Sequence, residues 1–326
     1  METKEPRVVI VVPNYNGATN FYNSRPILWH LLNSLKGTNY KNYKLVLSDD
    51  SSPDESIRYV KSKFSGTEMV INRPNGGYTI NANKGIKYAI RKYDPVYIVL
   101  LNSDIIIKDR SWLKKMVQAA EDEPTSGVIG CKILYPDGRL QSAGTTSVGI
   151  ITRSRGWNTN DADKYNEIEE VKAVAGAVFM IRKKAIEKIG LLDENFFMGS
   201  DDLEYCLRAD KAHLKVIYAG NTSAIHLEGY TAKAVSSKKG KDYWFPIFQT
   251  NNMYLAFKHL SKVKVIGTIF IILLSSVIGI SNRKMSLQSI RFKDRVLWRF
   301  YVSLKSIFVG YNLYKGRITR KQAYGL

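Results

Sequence analysis

Hydrophobic positions in the first hundred residues fall into two alternating patterns. Residues 7–12, 44–48, 68–72 and 96–101 are short runs centred on Val, Ile, Leu and Tyr. Runs this short, closed by Pro, Asn or Asp, predict strands, and the most continuously apolar of them predict burial on both faces of a sheet. Between them the apolar residues recur at helical spacing. Residues 26–36 set Ile27, Leu28, Leu31, Leu32 and Leu35 on one face, with Gly37 beyond as a stop. Pro53, after a Ser cap, opens a helix through about Phe64, and residues 79–93 form another whose early turns carry Asn81 and Asn83. Strands alternating with helices in this way predict an α/β fold with a mostly parallel central sheet joined by right-handed crossovers.

The pattern then changes. Residues 128–134 predict a strand, Pro136-Asp137-Gly138 a turn, and residues 142–149 a polar stretch rich in Gly, Ser and Thr. Residues 172–182 return to strand character, with the small Ala175, Gly176 and Ala177 at the centre. Such residues let either a ligand or a second element approach the backbone. Residues 224–226 close a short apolar strand on His226. Near the carboxyl end, residues 265–282 carry no charge and are flanked by Lys262, Lys264, Arg283 and Lys284. Their length sits at the threshold for spanning a bilayer, although Gly267, Ser275, Ser276 and Gly279 dilute their apolarity. Residues 291–308 then place Phe292, Val296, Phe300, Leu304 and Ile307 on one helical face, the pattern of a basic interfacial helix. The alternative is a pair of helices packed on the preceding domain.

Charge sharpens the division. The chain has 326 residues and a net charge of +20, but residues 231–326 hold 18 Lys or Arg against Asp242 and Asp294, a net +16. The first 230 hold 31 against 27, only +4. A nearly balanced domain over 1–230 is therefore expected to carry a basic helical tail over 231–326 that meets an anionic membrane surface. Cys131 and Cys206 are too few for a disulfide framework and lack metal-site spacing, which predicts core positions in a reducing compartment. The amino-terminal residues enter a strand-like run directly, so no export signal is expected.

Candidate chemistry sits where apolar runs end. Residues 96–101 stop at Asn102-Ser103-Asp104, and ligands of open α/β sheets bind outside the carboxyl ends of the strands. The same three residues also suit a turn that satisfies its own backbone. Gly199-Ser-Asp-Asp-Leu-Glu-Tyr-Cys-Leu-Arg208 presents Asp201 and Asp202 in a first helical turn. The helix dipole favours one acid there, and a second could serve as a general base. His226, one of four histidines, is a candidate metal ligand. Arg73-Pro-Asn-Gly-Gly77 can admit close ligand approach. Neither a GxGxxG nor a GxxxxGK[ST] motif occurs in these turns, against dinucleotide and P-loop readings.

Taken together, VVIVVPNYNG, LVLSDDSSPDES, RPNGGYTINANKGI, IVLLNSDIII, LYPDGRLQSAG, AVAGAVFMIRKKAIEKIGLLDENFF, SDDLEYCLR and AIHLEG stand in an order and spacing that resembles the inverting family 2 glycosyltransferases. The likeness is to their rhamnosyltransferase-like branch and runs from about Val8 to Tyr230. It implies a GT-A nucleotide-sugar-binding fold. It implies that Pro13, Asn14, Tyr15, Asn16, Asn102, Ser103 and Gly176 lie around the donor, with Asp50 on the base or ribose and Asn75, Gly77 and Asn83 lining the pocket. Asp104 and His226 would hold Mg²⁺ or Mn²⁺ on the diphosphate, and Asp202, beside Asp201, would be the catalytic base. The first carboxylate of the family's metal motif is replaced by Asn102, whose carbonyl can still ligate a hard cation.

The expected activity is transfer of a sugar from a nucleoside-diphosphate sugar, a UDP or dTDP sugar by resemblance, to a glycan or lipid-linked acceptor with inversion. The expected location is the cytoplasmic face of the cell membrane, peripheral or anchored by one segment. Two other classes fit parts of the pattern. A basic nucleic-acid-binding protein would use the clustered Lys and Arg, although no nucleic-acid motif accompanies them and no nucleic-acid partner is expected. A non-catalytic sugar-binding module would keep the fold without turnover.

Overall fold

The first apolar run forms β1 (Val8–Asn14), buried along its whole length. Its side chains alternate between two cores: Val8, Ile10 and Val12 enter one, Val9 and Val11 the other. That period of two is expected of a strand covered on both faces. The computed structural model describes residues 5–148, 152–229, 243–278 and 292–325. They divide into two units. The first comprises 1–147, 153–193 and 201–231, and the second 148–152, 194–200 and 232–326.

In the first unit β2 (Phe21–Tyr22) and β3 (Arg25–Pro26) make a small ribbon ahead of α1 (Ile27–Leu35). Then β4 (Tyr43–Asp49), α2 (Ser56–Lys63), β5 (Glu68–Ile71), α3 (Tyr78–Tyr93) and β6 (Tyr97–Leu101) follow in the predicted alternation. The remainder is β7 (Ile105–Ile106), α4 (Trp112–Asp122), β8 (Ser126–Leu134), β9 (Leu140–Ser142), β10 (Ile168–Val171), β11 (Val178–Arg182), α5 (Lys183–Ile189), α6 (Asp201–Lys211) and β12 (Lys215–His226). Helices α1 and α4 cover one core, with Leu28, Leu31, Trp112 and Met116 inside it. Helices α3, α5 and α6 cover the other through Ile86, Ile186 and Tyr205. Cys131 and Cys206 are buried and free, as expected of core thiols.

The strand order is β10-β12-β8-β11-β6-β1-β4-β5, with β7 on β12 and β9 on β8. Strands β6, β1, β4 and β5 are parallel, but β11 runs antiparallel to both β6 and β8. The sheet is therefore mixed, a correction to the mostly parallel expectation. The strand expected over 172–182 is also shorter, because only Val178–Arg182 enters the sheet. A strand that follows a loop instead of a crossover helix is free to return antiparallel. The reversal places the start of β11 against the end of β6, with Val178 opposite Leu101.

The second unit holds α7 (Trp244–His259), α8 (Lys262–Ile278), α9 (Phe292–Tyr314) and α10 (Arg320–Tyr324). Residues 194–200, assigned by sequence to the catalytic portion, pack within this unit. Asn251 donates to the carbonyls of Met198 and Gly199 at 2.9 and 2.8 Å, and Phe196 meets Tyr254 edge-on at 5.2 Å. Of the expected apolar segment 265–282, residues 279–282 lie outside the described residues. The rest belongs to α8, and no helix among the described residues is long and apolar enough to cross a membrane. A span needs about 20 apolar residues, and α8 has 17 described residues.

Helix α3 crosses the sheet at Gly85, where a Cβ would stand 2.5 Å from Val11 Cγ1 and 3.1 Å from Ser48 Cβ. Ala exceeds Gly in helix propensity by about 1 kcal/mol, whereas overpacking a rigid core costs about 1–3 kcal/mol. Gly85→Ala should therefore lower the urea midpoint despite the better propensity. An unchanged or raised midpoint would show that the crossing yields.

Candidate functional site

One edge of the first unit's sheet gathers the polar residues. Strands β1 and β4 end level with each other, Asn14 opposite Asp49, and the Asn14 amide donates to Asp49 Oδ2 at 2.8 Å. Asp50 follows, 3% exposed. Its Oδ1 accepts from the Gly76 N–H and its Oδ2 from the Gly77 N–H, both at 2.8 Å, while Asn75 donates to its carbonyl at 2.9 Å. Gly77 needs its φ of 75° to present that N–H, a conformation that suits glycine. Burial pushes the Asp50 carboxyl above its usual pKa range, opposed by these two N–H groups and by Lys84. The carboxylate expected to meet the donor thus first shapes the loop expected to line it.

Behind this loop lies a buried network that sequence reasoning missed. Asn72 donates to Ser48 Oγ at 3.0 Å, and Asn81 donates to the Ser48 carbonyl at 2.8 Å. Asn83, expected in the donor pocket, is 1% exposed and braces the Leu192 backbone, donating to its carbonyl at 2.9 Å and accepting its N–H at 3.1 Å. A run of Asn at helical positions is the signal that could have pointed to bracing, because buried amides must be paired.

Farther along the edge, the short strand β7 brings two distant residues together. Ile105 pairs with His226 in the β7–β12 ladder, and the Leu227 N–H donates to the Asp104 carbonyl at 3.0 Å. Asp104 Oδ1 then lies 3.2 Å from His226 Nε2. The other ring nitrogen, Nδ1, is 2.7 Å from Gln141 Oε1, so Gln141 sets which nitrogen faces the carboxylate. Burial works against the charged imidazole, but Asp104 and Glu228 prevail and hold its pKa above the ordinary value. Gln141 was not singled out by sequence.

The reversed strand supplies the third part. Asn102 donates its N–H to the Ala177 carbonyl at 3.1 Å, and one residue earlier the Gly176 N–H donates to Asp202 Oδ2 at 2.7 Å. A Cβ at Gly176 would come within 2.9 Å of Asp202 Cβ, so the contact requires a residue without one. Leu203 N–H donates to the other Asp202 oxygen at 2.8 Å. Burial raises the Asp202 pKa against these N–H groups. Tyr78, at the start of α3, has its phenol pKa pushed well up by burial and then by Asp201, Asp202 and Asp104. The hydroxyl therefore sits in the shared field of three carboxylates, two at the start of α6 and one between β6 and β7. Asp201 is 6% exposed and Ser103 likewise 6%; Tyr15 is half-buried. Among the described residues, the buried Oδ1 atoms of Asn14, Asn16 and Asn102 have no hydrogen-bond partner. An orphaned buried acceptor is costly, and acceptors at a strand-end edge are what a ligand's donors or a cation would satisfy.

The strand order and this edge define a GT-A glycosyltransferase-like α/β fold with a mixed sheet. Residues 9–190, more than half of the chain, match Glycosyl transferase family 2, and the protein belongs to that family. It is 27% identical over 253 residues to the O-antigen biosynthesis protein RfbC of Myxococcus xanthus, covering 73% of this chain and 18% of that one. It is 25% identical to the low-salt glycan biosynthesis hexosyltransferase Agl10 of Haloferax volcanii, covering 56% of this chain and 58% of that one. Against the N-acetylglucosaminyl-diphospho-decaprenol L-rhamnosyltransferase of Mycobacterium tuberculosis it is 21% identical, covering 64% and 75%. The chain thus spans under a fifth of the Myxococcus relative and little over half of the Haloferax one. Staphylococcus aureus TarS 1-349 in complex with UDP shares the fold with a TM-score of 0.54 at 14% identity, covering 98% of this chain and 89% of that fragment. GalNAc-T7 with UDP, GalNAc and Mn²⁺ gives 0.59 at 14% identity, covering 95% and 57%.

Asn83→Ala would leave the Leu192 N–H and carbonyl without their side-chain partner. Each buried unpaired group costs about 1–3 kcal/mol, so a drop of about 2 kcal/mol or more in unfolding free energy is expected, read by urea denaturation. Full stability combined with weakened nucleotide binding would return Asn83 to the donor pocket.

Proposed function

We propose that the protein transfers a sugar from a nucleoside-diphosphate sugar to a hydroxyl of a glycan or lipid-linked acceptor, inverting the anomeric centre. The observation that carries this reading is the convergence of Asp104, His226 and Asp202 on one sheet edge, through the β7–β12 pairing and the Gly176–Asp202 hydrogen bond. UDP or dTDP sugars are the donors favoured, in keeping with the UDP named for the TarS and GalNAc-T7 structures. Rhamnosyl or hexosyl transfer is the favoured class, as named for the Mycobacterium and Haloferax relatives.

In this mechanism the Asp50-organised loop of Asn75, Gly76 and Gly77 holds the nucleoside end, and the orphaned Oδ1 atoms of Asn14 and Asn16 accept donor hydrogens. Asp202 takes the proton from the acceptor hydroxyl as its oxygen attacks the anomeric carbon from the face opposite the leaving diphosphate. Oxygen–carbon bond formation, proton transfer to Asp202 and departure of the diphosphate balance in one displacement. Burial and the Gly176 and Leu203 N–H groups set the environment of that carboxylate, and Tyr78 lies within its field.

Asp104 and His226 fit a hard divalent cation. Their ring nitrogen and carboxylate oxygen, 3.2 Å apart, are donor types such a cation would accept. The unpartnered Asn102 Oδ1 offers a further oxygen two residues from Asp104. Among the described residues no cluster of three or more His, Cys, Asp or Glu exists to hold a metal, so Asp104, His226 and Asn102 are the residues that would hold one. When bound, the cation would neutralise charge developing on the nucleoside diphosphate.

Purified protein screened against UDP, dTDP and GDP sugars should release the nucleoside diphosphate from the UDP or dTDP series. Release confined to GDP sugars would overturn that preference, and no release from any donor would favour a non-catalytic module. Asp104→Ala and His226→Ala should each weaken the cation dependence of donor binding by about 10–100-fold, the scale on which metal-site changes act; titration of Mn²⁺ with donor present is the measurement. Asp202→Asn should keep donor binding while slowing transfer by about 10²–10⁴-fold. Asp202 acts only when ionised and its pKa is raised, so the rate should fall as pH drops through a value above the ordinary carboxylate range near 4. An acid limb confined below pH 4 would remove Asp202 as the base.

A further inference from the structure

Helices α8 and α9 of the second unit have their polarity inside out. Val263, Ile266, Phe270 and Leu274 follow one another at helical spacing on α8, and Leu297, Tyr301, Leu304 and Phe308 do so on α9; all eight are between 43% and 79% exposed. The buried faces hold Ile272, Val302 and Leu313 but are mixed with polar groups. Thr268 and Ser276 on α8 are 7% and 3% exposed, and Arg299, Ser303 and Ser306 on α9 are 6%, 0% and 2% exposed. The inward hydroxyls of α8 are satisfied within the helix, Thr268 donating to the Lys264 carbonyl at 2.8 Å and Ser276 to the Leu273 carbonyl at 2.6 Å. A helix that meets water turns its apolar stripe inward. The interfacial face expected on Phe292, Val296, Phe300, Leu304 and Ile307 is thus redrawn, because Val296, Phe300 and Ile307 are only partly exposed while Leu297, Tyr301 and Phe308 point out.

We infer that these two stripes form a docking face for an anionic lipid surface, lying in the interface instead of crossing it. Charge selects the occupant. Exposed Lys262 and Lys264 bracket Val263 at the start of α8, exposed Lys305 adjoins Leu304 on α9, and residues 231–326 carry a net +16 with only Asp242 and Asp294 opposing. An apolar stripe edged by lysines matches the boundary of acyl chains and anionic headgroups, where one signal alone binds weakly and two bind stably. A second copy of the chain would bring the same lysines against each other. The inference goes beyond sugar transfer and does not rest on it.

Flotation of the full chain with vesicles tests it. The protein should float with phosphatidylcholine vesicles containing phosphatidylglycerol and much less with phosphatidylcholine alone. At 1 M salt, where the Debye length shrinks to about 3 Å, part should stay bound through the apolar stripe. The combined variant Phe270→Gln, Leu297→Gln, Tyr301→Gln and Phe308→Gln should lose about tenfold or more of its partition, with nucleotide-sugar turnover unchanged. The variant Lys262→Gln, Lys264→Gln and Lys305→Gln should lose the preference for phosphatidylglycerol. Should the combined stripe variant fail to fold, single thiols decide the matter. Cys131 and Cys206 are buried, so an environment-sensitive fluorophore placed by Phe270→Cys or Phe308→Cys labels one site. It should shift to the blue with anionic vesicles, while a label at the exposed α7 position, Asn252→Cys, should not. Absence of flotation by the native chain, a stripe variant that floats as well as the native chain, or a lipid-free dimer abolished by the stripe variant would overturn the inference.

Discussion

The antiparallel return of β11 beside β6 is the constraint on which the candidate site depends. Had the sheet stayed parallel past β6, the segment before β11 would have emerged at the opposite edge, and Gly176 could not have met Asp202 from the side where Asn102 and Asp104 stand. One strand reversal therefore converts a nucleotide-binding type of half-sheet into a site with two walls. The nucleoside side is built by β1, β4 and the loop before α3, and the reacting side by β7, β11, β12 and the start of α6.

The polar groups on the two walls are used differently. On the nucleoside side most are spent on one another: Asp49 with Asn14, Asp50 with Gly76 and Gly77, and Asn72 and Asn81 with Ser48. Such networks rigidify a loop, because each unpaired buried group would carry a penalty. On the reacting side the groups are aimed by neighbours, among them residues of other segments. Asp202 is tied by two backbone N–H groups, His226 by Gln141, and Asn102 keeps an unpartnered carbonyl. Burial raises the Asp202 pKa without removing the hydrogen bonds that aim it, a compromise suited to a group that must take up a proton and release it again.

The second unit reverses the usual division of labour between inside and outside. Its α7 is stitched to residues 194–200 by Asn251 and to α10 by the Tyr324 hydroxyl, 2.6 Å from Asn251 Oδ1. Gly310 on α9 leaves space for Met253, whose Cβ would lie 2.8 Å from an added methyl group. Close packing on that side spends small and polar residues of α9, beside Val302 and Leu313, and leaves Leu297, Tyr301, Leu304 and Phe308 outward.

Local pattern was enough for much of this protein. The strands of residues 8–14 and 97–101 and the helix of 27–35 were legible because period and burial coincide in them, the inward positions being apolar up to Asn14. Asp104, Asp202 and His226 stood out because carboxylates and imidazole at the ends of apolar runs are conspicuous in a linear reading. Three things were decided only by the tertiary structure. The sheet's mixed direction depended on how 172–177 turns, and short apolar runs pair in either direction. Gln141 and Tyr78 acquired their places through pairing between segments far apart in the chain, for which a local sequence carries no signal. The outward stripe of α9 keeps the expected Leu304 but otherwise runs through Leu297, Tyr301 and Phe308, because apolar residues nearly surround that helix, so its own periodicity left the orientation undetermined, and packing against its neighbours chose which face stayed open.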